Sequence, residues 1–297
     1  MSLLNVPIYS GSSSSSIMEP LGNTLFVSDT GSTTQSRADS LGRIDKPLSF
    51  AQAASVCQDG DCLFVFSYED NAVGSFGGKN KITIIFFNNT TNNSITIQNL
   101  GDYCSVSSYG VGNGMYPKIE PHVSGYGQRC VFRNVRFEGN PLILETGTLL
   151  DSCIISSSAM RLNGIIHINK CKFDTTPLTL FSNSYAPTTF THCQFPNARD
   201  LTFNIGLAVF KDCIFNAQSA PIFTMNSGAN ISTSMIFDSC YIDNPLGRIF
   251  EDSSTSKTPN FQLRNSYIRT SITLGRLPSV SHNTLQINPL FIPRYEF

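Results

Sequence analysis

A six-residue pattern recurs along the chain and constrains the fold more than any other feature. In residues 190–195 it reads Phe-Thr-His-Cys-Gln-Phe: an apolar residue, two polar residues, cysteine, a polar residue and an apolar one. Five copies have cysteine in the fourth position, two have valine or serine there, and one is weaker. In that order they occupy residues 150–155, 168–173, 190–195, 210–215 and 237–242, then 132–137 and 263–268, then 280–285.

The spacing of these copies predicts a solenoid. Their fourth positions fall at residues 135, 153, 171, 193, 213, 240, 266 and 283, in steps of 18, 18, 22, 20, 27, 26 and 17 residues. A repeat of about 20 residues cannot bury its own apolar face, but stacking on the next repeat, about 4.8 Å away, does so. A leucine-rich repeat has a similar period but needs a Leu-x-x-Leu-x-Leu-x-x-Asn frame, which this sequence lacks. We therefore predict an all-β chain that forms a parallel β-helix with rungs of about 20 residues.

The repeated cysteines are predicted to be packing residues. Cys193 and Phe195 are two residues apart, a period that puts both on one face of a strand, and cysteine is small and readily buried. The chain has nine cysteines, an odd number. Residues 1–16 have neither a basic segment nor a continuous apolar one, unlike a secretion signal. We therefore expect free, buried thiols made in a reducing cytoplasm.

Composition argues against two classes of partner. Charged residues make up 14% of the chain, the net charge is −1 and the pI is about 6.4. Such a chain has no basic footprint for nucleic acid or an anionic membrane surface. No apolar run is long enough to span a bilayer, so we predict no nucleic acid partner and no membrane insertion.

A short helix is predicted near residues 47–56, ahead of the first rungs. Pro47 suits the first turn of a helix, and Phe50, Ala53 and Ala54 have the i, i+3, i+4 spacing of an apolar stripe. A turn at residues 59–61 then leads into a strand at 62–66. Such a helix would cover the open end of the core, where the first rung would otherwise expose an unpaired strand edge.

These features predict three regions. Residues 1–40 are an N-terminal attachment segment, 41–287 are the β-helix, and 288–297 are an apolar tail that caps the far end or packs between subunits. Residues 101–127 are rich in glycine and tyrosine and lack the repeated pattern, which predicts an excursion from the solenoid or a binding loop.

The helix-capped entry and the aromatic-x-x-Cys-x-aromatic rungs together resemble a pectin-lyase-like right-handed β-helix, over residues 45–287. The Ser, Thr and Asn-rich composition and the unusual N-terminal segment resemble the tailspikes, tail fibres and capsid fibres of bacteriophages. The resemblance implies a homotrimer made in the host cytoplasm and located on the virion. It also implies that residues 1–40 bind other virion proteins while the shaft meets a glycan or protein of the host surface.

Enzymes on this fold cleave polysaccharides with carboxylates that converge on one face. Asp212 directly precedes its cysteine, whereas Asp151 and Asp238 lie two residues before theirs, so the three are not predicted to share a face. Glu251 and Asp252 are adjacent on a predicted insertion, and adjacent strand residues point in opposite directions. We therefore name no catalytic residue.

Three other groups of residues are candidates for a metal, catalytic or sugar-binding site. His192 should point outward and Cys193 inward because strand residues alternate, which argues against a metal site or a Cys–His pair. Cys57 and Cys62 have no second pair of ligands beside them. Four tyrosines lie within the glycine-rich segment, and we interpret them as scattered surface residues, with a sugar-binding surface as the alternative: Tyr103, Tyr109, Tyr116 and Tyr126. We predict no metal-binding residue, no cofactor-binding residue and no cofactor.

The leading functional hypothesis is a virion structural protein, a trimeric fibre or spike attached through its N-terminus and used in host attachment or particle decoration. The alternative is a polysaccharide depolymerase or lyase on the same fold. A bacterial surface adhesin is a third hypothesis, disfavoured by the lack of a secretion signal.

Overall fold

A computed structural model of the chain describes residues 23–87, 93–109, 116–123, 125–174, 178–181, 186–198, 201–204, 206–217, 222–225, 234–244, 250–252, 260–270 and 286–288. The fold is all-β: a parallel β-solenoid of about 6 turns, with rungs of about 22 residues and little helix. This confirms the predicted fold class. The right-handed sense stays a prediction, in line with the handedness of nearly all parallel crossover connections.

The elements run in the following order. The first part of the chain contains β1 (Thr24–Ser32), α1 (Arg37–Ser40), α2 (Phe50–Val56), β2 (Cys62–Val65), β3 (Ala72–Ser75), β4 (Thr83–Phe87), β5 (Ser94–Gln98), β6 (Ser105–Tyr109) and β7 (Lys118–Pro121). The middle contains β8 (Val131–Arg133), β9 (Arg136–Gly139), β10 (Leu142–Glu145), β11 (Leu149–Asp151), β12 (Ile154–Ser157), β13 (Ala159–Asn163), β14 (Ile166–Asn169), β15 (Lys172–Phe173), β16 (Leu178–Phe181), β17 (Pro187–Thr191) and β18 (Gln194–Phe195). The last part contains β19 (Leu201–Asn204), β20 (Leu207–Lys211), β21 (Ile214–Asn216), β22 (Phe223–Met225), β23 (Ser234–Asp238), β24 (Tyr241–Asn244), β25 (Phe250–Asp252), β26 (Asn260–Arg264), β27 (Tyr267–Thr270) and β28 (Gln286–Asn288).

These strands form three parallel sheets along the solenoid. Sheet A runs β1-β2-β4-β6-β8-β11-β14-β17-β20-β23-β26-β28, sheet B runs β3-β5-β7-β9-β12-β15-β18-β21-β24-β27, and sheet C runs β10-β13-β16-β19-β22-β25. Within the described residues, sheet C begins only at β10. The rungs before it therefore have two sheets, and the later rungs have three.

The register of sheet A confirms the predicted spacing. Successive rungs place one residue directly opposite the next in the order Val131, Leu149, His167, Thr189, Val209, Ile236 and Gln262. Those positions are separated by the same 18, 18, 22, 20, 27 and 26 residues as the cysteine positions. The eighth copy was placed wrongly, because Leu263 pairs with Ile287 rather than with Val280. Residues 280–285 and 289–297 lie outside the described part of the chain.

The prediction of an excursion at 101–127 is wrong for its described residues. Strands β6 and β7 lie in this segment and pair with both of their neighbours in sheets A and B. Cys62, Thr83, Ser105 and Val131 face one another in successive rungs, 21, 22 and 26 residues apart. The described residues of this segment are therefore an ordinary part of the solenoid, although they lack the cysteine pattern.

A single left-handed residue makes the corner between sheets A and B in each of seven rungs. It is always the third residue of the repeated pattern, with φ between 49° and 57°: Asn134, Ser152, Lys170, His192, Asp212, Ser239 and Asn265. The predicted placement of Cys193 and Phe195 on one strand is therefore wrong, since Cys193 lies in the bend between β17 and β18. Both side chains nevertheless point inward, and both are buried.

The core is built from aligned phenylalanine stacks. In sheet A, the ring of Phe210 lies 4.6 Å from that of Phe190 and 4.9 Å from that of Phe237, with interplanar angles of 15° and 7°. In sheet B, the rings of Phe195 and Phe215 stack at 4.5 Å. The two stacks meet edge to face, a favourable geometry for aromatic pairs. This interlocking packs the three successive rungs that carry these rings against one another.

The predicted capping helix is present as α2, although it begins later than Pro47. Ser49 is the N-cap, and its side chain accepts a hydrogen bond from the backbone N–H of Gln52. Pro47 lies before the helix, and its carbonyl accepts a hydrogen bond from the N–H of Ser32. Phe50 and Ala53 are buried in the main core, so the helix covers apolar surface as expected.

The boundary drawn at residue 40 falls inside the first rung, because β1 is already a strand of sheet A and pairs with β2. Arg37 fixes this entry by a two-pronged ion pair with Asp61, at 2.7 Å from Nε and 2.6 Å from Nη2. The Asp61 side chain is 1% exposed and also accepts the backbone N–H of Gln58. Residues 23–40 are thus joined to the solenoid, while an attachment role for residues 1–40 stays a prediction.

Replacing Gly74 with alanine is expected to lower the free energy of unfolding by about 1–3 kcal/mol, the usual cost of overpacking. A Cβ atom at Gly74 in β3 would lie 2.9 Å from Cδ1 of Phe50 and 3.1 Å from Cβ of Ala54 in α2. Urea denaturation measures the change. The double variant Gly74→Ala/Phe50→Leu is the control and should recover part of the loss. A more stable Gly74→Ala protein would show that the helix is not seated on β3.

Candidate interaction surfaces

The five repeated cysteines form a buried thiol column along the corner between sheets A and B. All nine cysteines of the chain are free, and the five in the column are at most 2% exposed: Cys153, Cys171, Cys193, Cys213 and Cys240. The Cys193 thiol donates to the carbonyl of Ile168 in the preceding rung at 3.5 Å. Ser266 makes the same bond, to the carbonyl of Phe237 at 3.4 Å. The cysteines are inward packing residues, as the sequence predicted, and the hydrogen bonds between rungs are an additional finding.

The thiols of Cys57, Cys171 and Cys213 are poorly suited to nucleophilic chemistry. A hydrogen bond with Cys193 raises the pKa of Cys213 to about 12, and burial acts in the same direction. Burial also raises the pKa of Cys171, and it raises the pKa of Cys57 to about 11. Because the thiolate is the reactive form, thiols held neutral near pH 7 react slowly.

His192 and Cys193 point in opposite directions, as predicted, but for a different reason. His192 is the left-handed corner residue rather than a strand residue, and its side chain is 56% exposed. Its Nε2 atom lies 3.7 Å from Oδ2 of Asp212, the corner residue of the next rung. Cys57 and Cys62 also lie apart, since Cys57 belongs to the main core and Cys62 packs against a separate apolar cluster.

The carboxylates within the rungs have polar partners. Asp151 lies 3.6 Å from Nε of Arg133 and accepts a hydrogen bond from Asn169 at 2.8 Å. Asp238 accepts a hydrogen bond from Asn265 at 3.3 Å. Asp151 and Asp238 belong to one outward column of sheet A, whereas Asp212 is a corner residue, as their different offsets from cysteine predicted. Glu251 and Asp252 belong to strand β25, of which the structure describes the backbone but not these side chains.

Three of the four tyrosines, Tyr103, Tyr109 and Tyr126, have different surroundings, and Tyr116 is partly buried. Tyr126 is buried against Phe132 in the core, and Tyr109 packs beside Phe87 on the outside of sheet A. Tyr103 is 51% exposed, with the guanidinium of Arg129 5.1 Å from its ring centre. These three positions are scattered, as in the default interpretation, although Tyr126 is in the core rather than on the surface.

An exposed apolar row that the sequence interpretation missed lies on the outside of sheet B. Ile214 and Tyr241 are paired residues that are 39% and 37% exposed. Tyr267 follows in the next rung, and its ring is parallel to that of Tyr241 at 4.9 Å. The hydroxyl of Tyr241 lies 3.5 Å from a carboxylate oxygen of Asp243. Since the two rings face each other, they present edges and hydroxyl groups outward. The signal in the sequence was one pattern position, the fifth, held by aromatic or aliphatic residues in three successive copies.

A second missed feature is an apolar cluster on the outside of sheet A near the start of the solenoid. Phe26, Phe64 and Ile85 form it, separate from the main core, and Phe87 and Tyr109 pack against it. The sequence signal was the continuous apolar runs at 62–66 and 84–87, which are typical of strands buried on both faces.

Among the described residues, no group of three or more His, Cys, Asp or Glu side chains is placed to hold a metal ion. Across the same residues, none of the helices has the length and hydropathy needed to cross a membrane. No protein family matches the sequence, and no curated protein or solved structure matches it either.

Proposed function

We propose that this protein is a virion structural protein of the bacteriophage fibre or spike type, with a pectin-lyase-like right-handed β-helix as its shaft. The observation that carries the proposal is the uninterrupted register of the rungs. The stacked rings of Phe190, Phe210 and Phe237 join neighbouring rungs by close aromatic contact. Such a solenoid is a stiff shaft whose outer columns form a long, regular surface.

In this proposal, the N-terminal segment and the solenoid bind different partners. Residues 1–40 bind other virion proteins, and the solenoid meets a glycan or protein of the host surface. The exposed row Ile214, Tyr241 and Tyr267, with the carboxylate of Asp243, supports host contact because it mixes apolar edges with hydrogen-bonding groups. Aromatic residues with one polar end are enriched at interaction surfaces.

The expected assembly is a homotrimer of 32.5 kDa chains, which is typical of such fibres. Light scattering coupled to gel filtration measures its mass in solution. A species that stays monomeric at high protein concentration would contradict the proposal. The variant Tyr241→Ala should bind host cells more weakly than the wild type, with Ile154→Ala, in the same outward column, as its control.

A polysaccharide depolymerase on the same fold is the second candidate. The observation that favours it is the Tyr241 hydroxyl beside the Asp243 carboxylate on an exposed face. Glycosidases of this kind require two carboxylates within about 10 Å of each other. Release of new reducing ends from host surface polysaccharide would select this function over a purely structural one.

A further inference from the structure

Sheet A has an outer apolar face over its first four strands, β1, β2, β4 and β6. Phe26, Phe64 and Ile85 stand opposite one another in β1, β2 and β4. They point away from the core, because their neighbours Leu25, Leu63 and Ile84 belong to the core and strand residues alternate. We define the outer apolar face by its six largest side chains: Phe26, Phe64, Phe66, Ile85, Phe87 and Tyr109.

The outer apolar face is confined to this end of the solenoid. The column that contains Phe26, Phe64 and Ile85 continues along sheet A with polar and charged residues only. In order, they are Ser107, Arg133, Asp151, Asn169, Thr191, Lys211, Asp238 and Arg264. The polar part of the column is suited to contact with water. The apolar side chains at its start therefore indicate that another segment or molecule covers this part of the sheet.

The centre of this face is as buried as the core. Phe26, Phe64 and Ile85 are 5%, 6% and 3% exposed. Their rings and side chains contact one another, but strands β2 and β4 pack mainly against their own neighbours within sheet A among the described elements. Cys62, at the margin of the face, has its pKa raised to about 12 by burial. Neighbours in one sheet do not enclose an outward side chain from above, so this burial requires a covering layer.

We propose that residues 1–22 of the same chain dock on the outer apolar face. Along the chain, this segment leads directly into β1, the first strand of the face. It contains one charged side chain, Glu19, and eight aliphatic or methionine side chains in two groups: Met1, Leu3, Leu4, Val6 and Ile8, then Ile17, Met18 and Leu21. An extended chain spans up to about 3.3 Å per residue, and neighbouring strands lie about 4.8 Å apart. The segment is therefore much longer than the width of the face that it would cover.

The two apolar groups are separated by the run Ser12–Ser16, which predicts two docked pieces with a polar connection between them. Docking removes apolar surface from water on both partners, which is the main favourable term in such contacts. The proposal does not depend on the virion role, because it rests on the face and the segment alone. A docked segment would still present its outward side to other proteins.

Cys62 is a native reporter of this contact. It is the one cysteine of the nine that is not fully buried, and it lies beside Phe64 on the outer apolar face. Alkylation by N-ethylmaleimide, followed by mass spectrometry of peptides, measures its reactivity in the full chain. The variant Leu3→Asp/Leu4→Asp should raise the rate at Cys62 at least about tenfold, since uncovering the thiol restores its ordinary ionisation. Ile17→Asp/Met18→Asp should do the same.

Ser13→Asp/Ser14→Asp is the matched control, because it adds the same charge to the same segment and should leave the rate unchanged. Cys193 monitors the fold and should stay unreactive in every variant. Equal rates at Cys62 in all three variants and the wild type would overturn the proposal. So would a wild-type rate that rises on dilution, because the covering layer would then be a second copy.

Limited proteolysis of the wild-type protein gives an independent test if a variant fails to fold. Residues 1–22 should be cleaved at least about tenfold more slowly than a synthetic peptide of that sequence, because proteases act on the transiently opened form. Equal cleavage rates would overturn the proposal. The reciprocal variant Phe64→Asp should remove the protection of the segment.

Discussion

Replacing Cys193 with aspartate is expected to lower the free energy of unfolding by more than about 3 kcal/mol, or to leave a carboxyl that stays protonated at pH 7. Cys193 is 0% exposed, and it lies between the neighbouring thiols of the column. A carboxylate at this place would lose its water without gaining a cation. Urea and thermal denaturation, measured from pH 4 to pH 8, should show the loss growing as the pH rises, because the charged form carries the cost.

The control for this prediction is present in the chain itself. Ser266 occupies the column in a later rung and donates to the carbonyl of Phe237, as the thiols of Cys193, Cys213 and Cys240 donate to carbonyls of the rung before theirs. Cys193→Ser should therefore cost less than about 1.5 kcal/mol, since the hydroxyl can use the carbonyl of Ile168. A Cys193→Asp protein that melts like the wild type at pH 8 would refute the inward thiol column.

Replacing Phe210 with alanine is expected to cost about 3–5 kcal/mol, the usual range for removing a buried phenylalanine from a packed core. Phe210 is fully buried, stacks on Phe190 and Phe237, and meets Phe195 and Phe215 edge to face. The cavity would therefore touch three successive rungs and both phenylalanine stacks. Urea denaturation measures the loss, and hydrogen exchange should show faster opening of strands β17, β20 and β23.

Two variants bracket this effect. Phe210→Leu keeps most of the volume and should cost clearly less than Phe210→Ala. Ile214→Ala, four residues further on, removes a side chain that is 39% exposed and should change stability by less than about 1 kcal/mol. A Phe210→Ala protein with wild-type stability would contradict the aligned core.

The solenoid was predictable because burial in a repeated rung demands the same residue types at the same places. The cysteines and the aromatic residues beside them mark one corner of each rung, so their steps equal those of the register in sheet A. Tyr103-Cys104 and Arg129-Cys130 were harder to recognise. Each is also a left-handed residue followed by a buried cysteine, but they precede a sheet A strand rather than follow one. A single copied pattern cannot reveal a second corner with different neighbours.

The repeated pattern also did not predict the left-handed backbone conformation at the corners. Lys170 and Ser152 adopt a left-handed conformation that most side chains rarely take, and they do not belong to the residue types enriched in it, which are asparagine, aspartate and histidine. The bends recur because each corner stacks on the corners of adjacent rungs: the N–H of Lys170 donates to the carbonyl of Thr191, and that of His192 to the carbonyl of Lys211. The strain of one residue is thus offset by hydrogen bonds that exist only once the rungs are stacked.

By itself, the sequence determined the class of fold, the length of the rungs and the inward direction of the cysteine column. These follow from local periodicity and from the need of each rung to bury one face. The tertiary structure alone decided which outward columns stay apolar, as at Phe64 and at Tyr241. An outward position is defined only by what lies beside it in the next rung, 20 or more residues away, and by what covers it from outside.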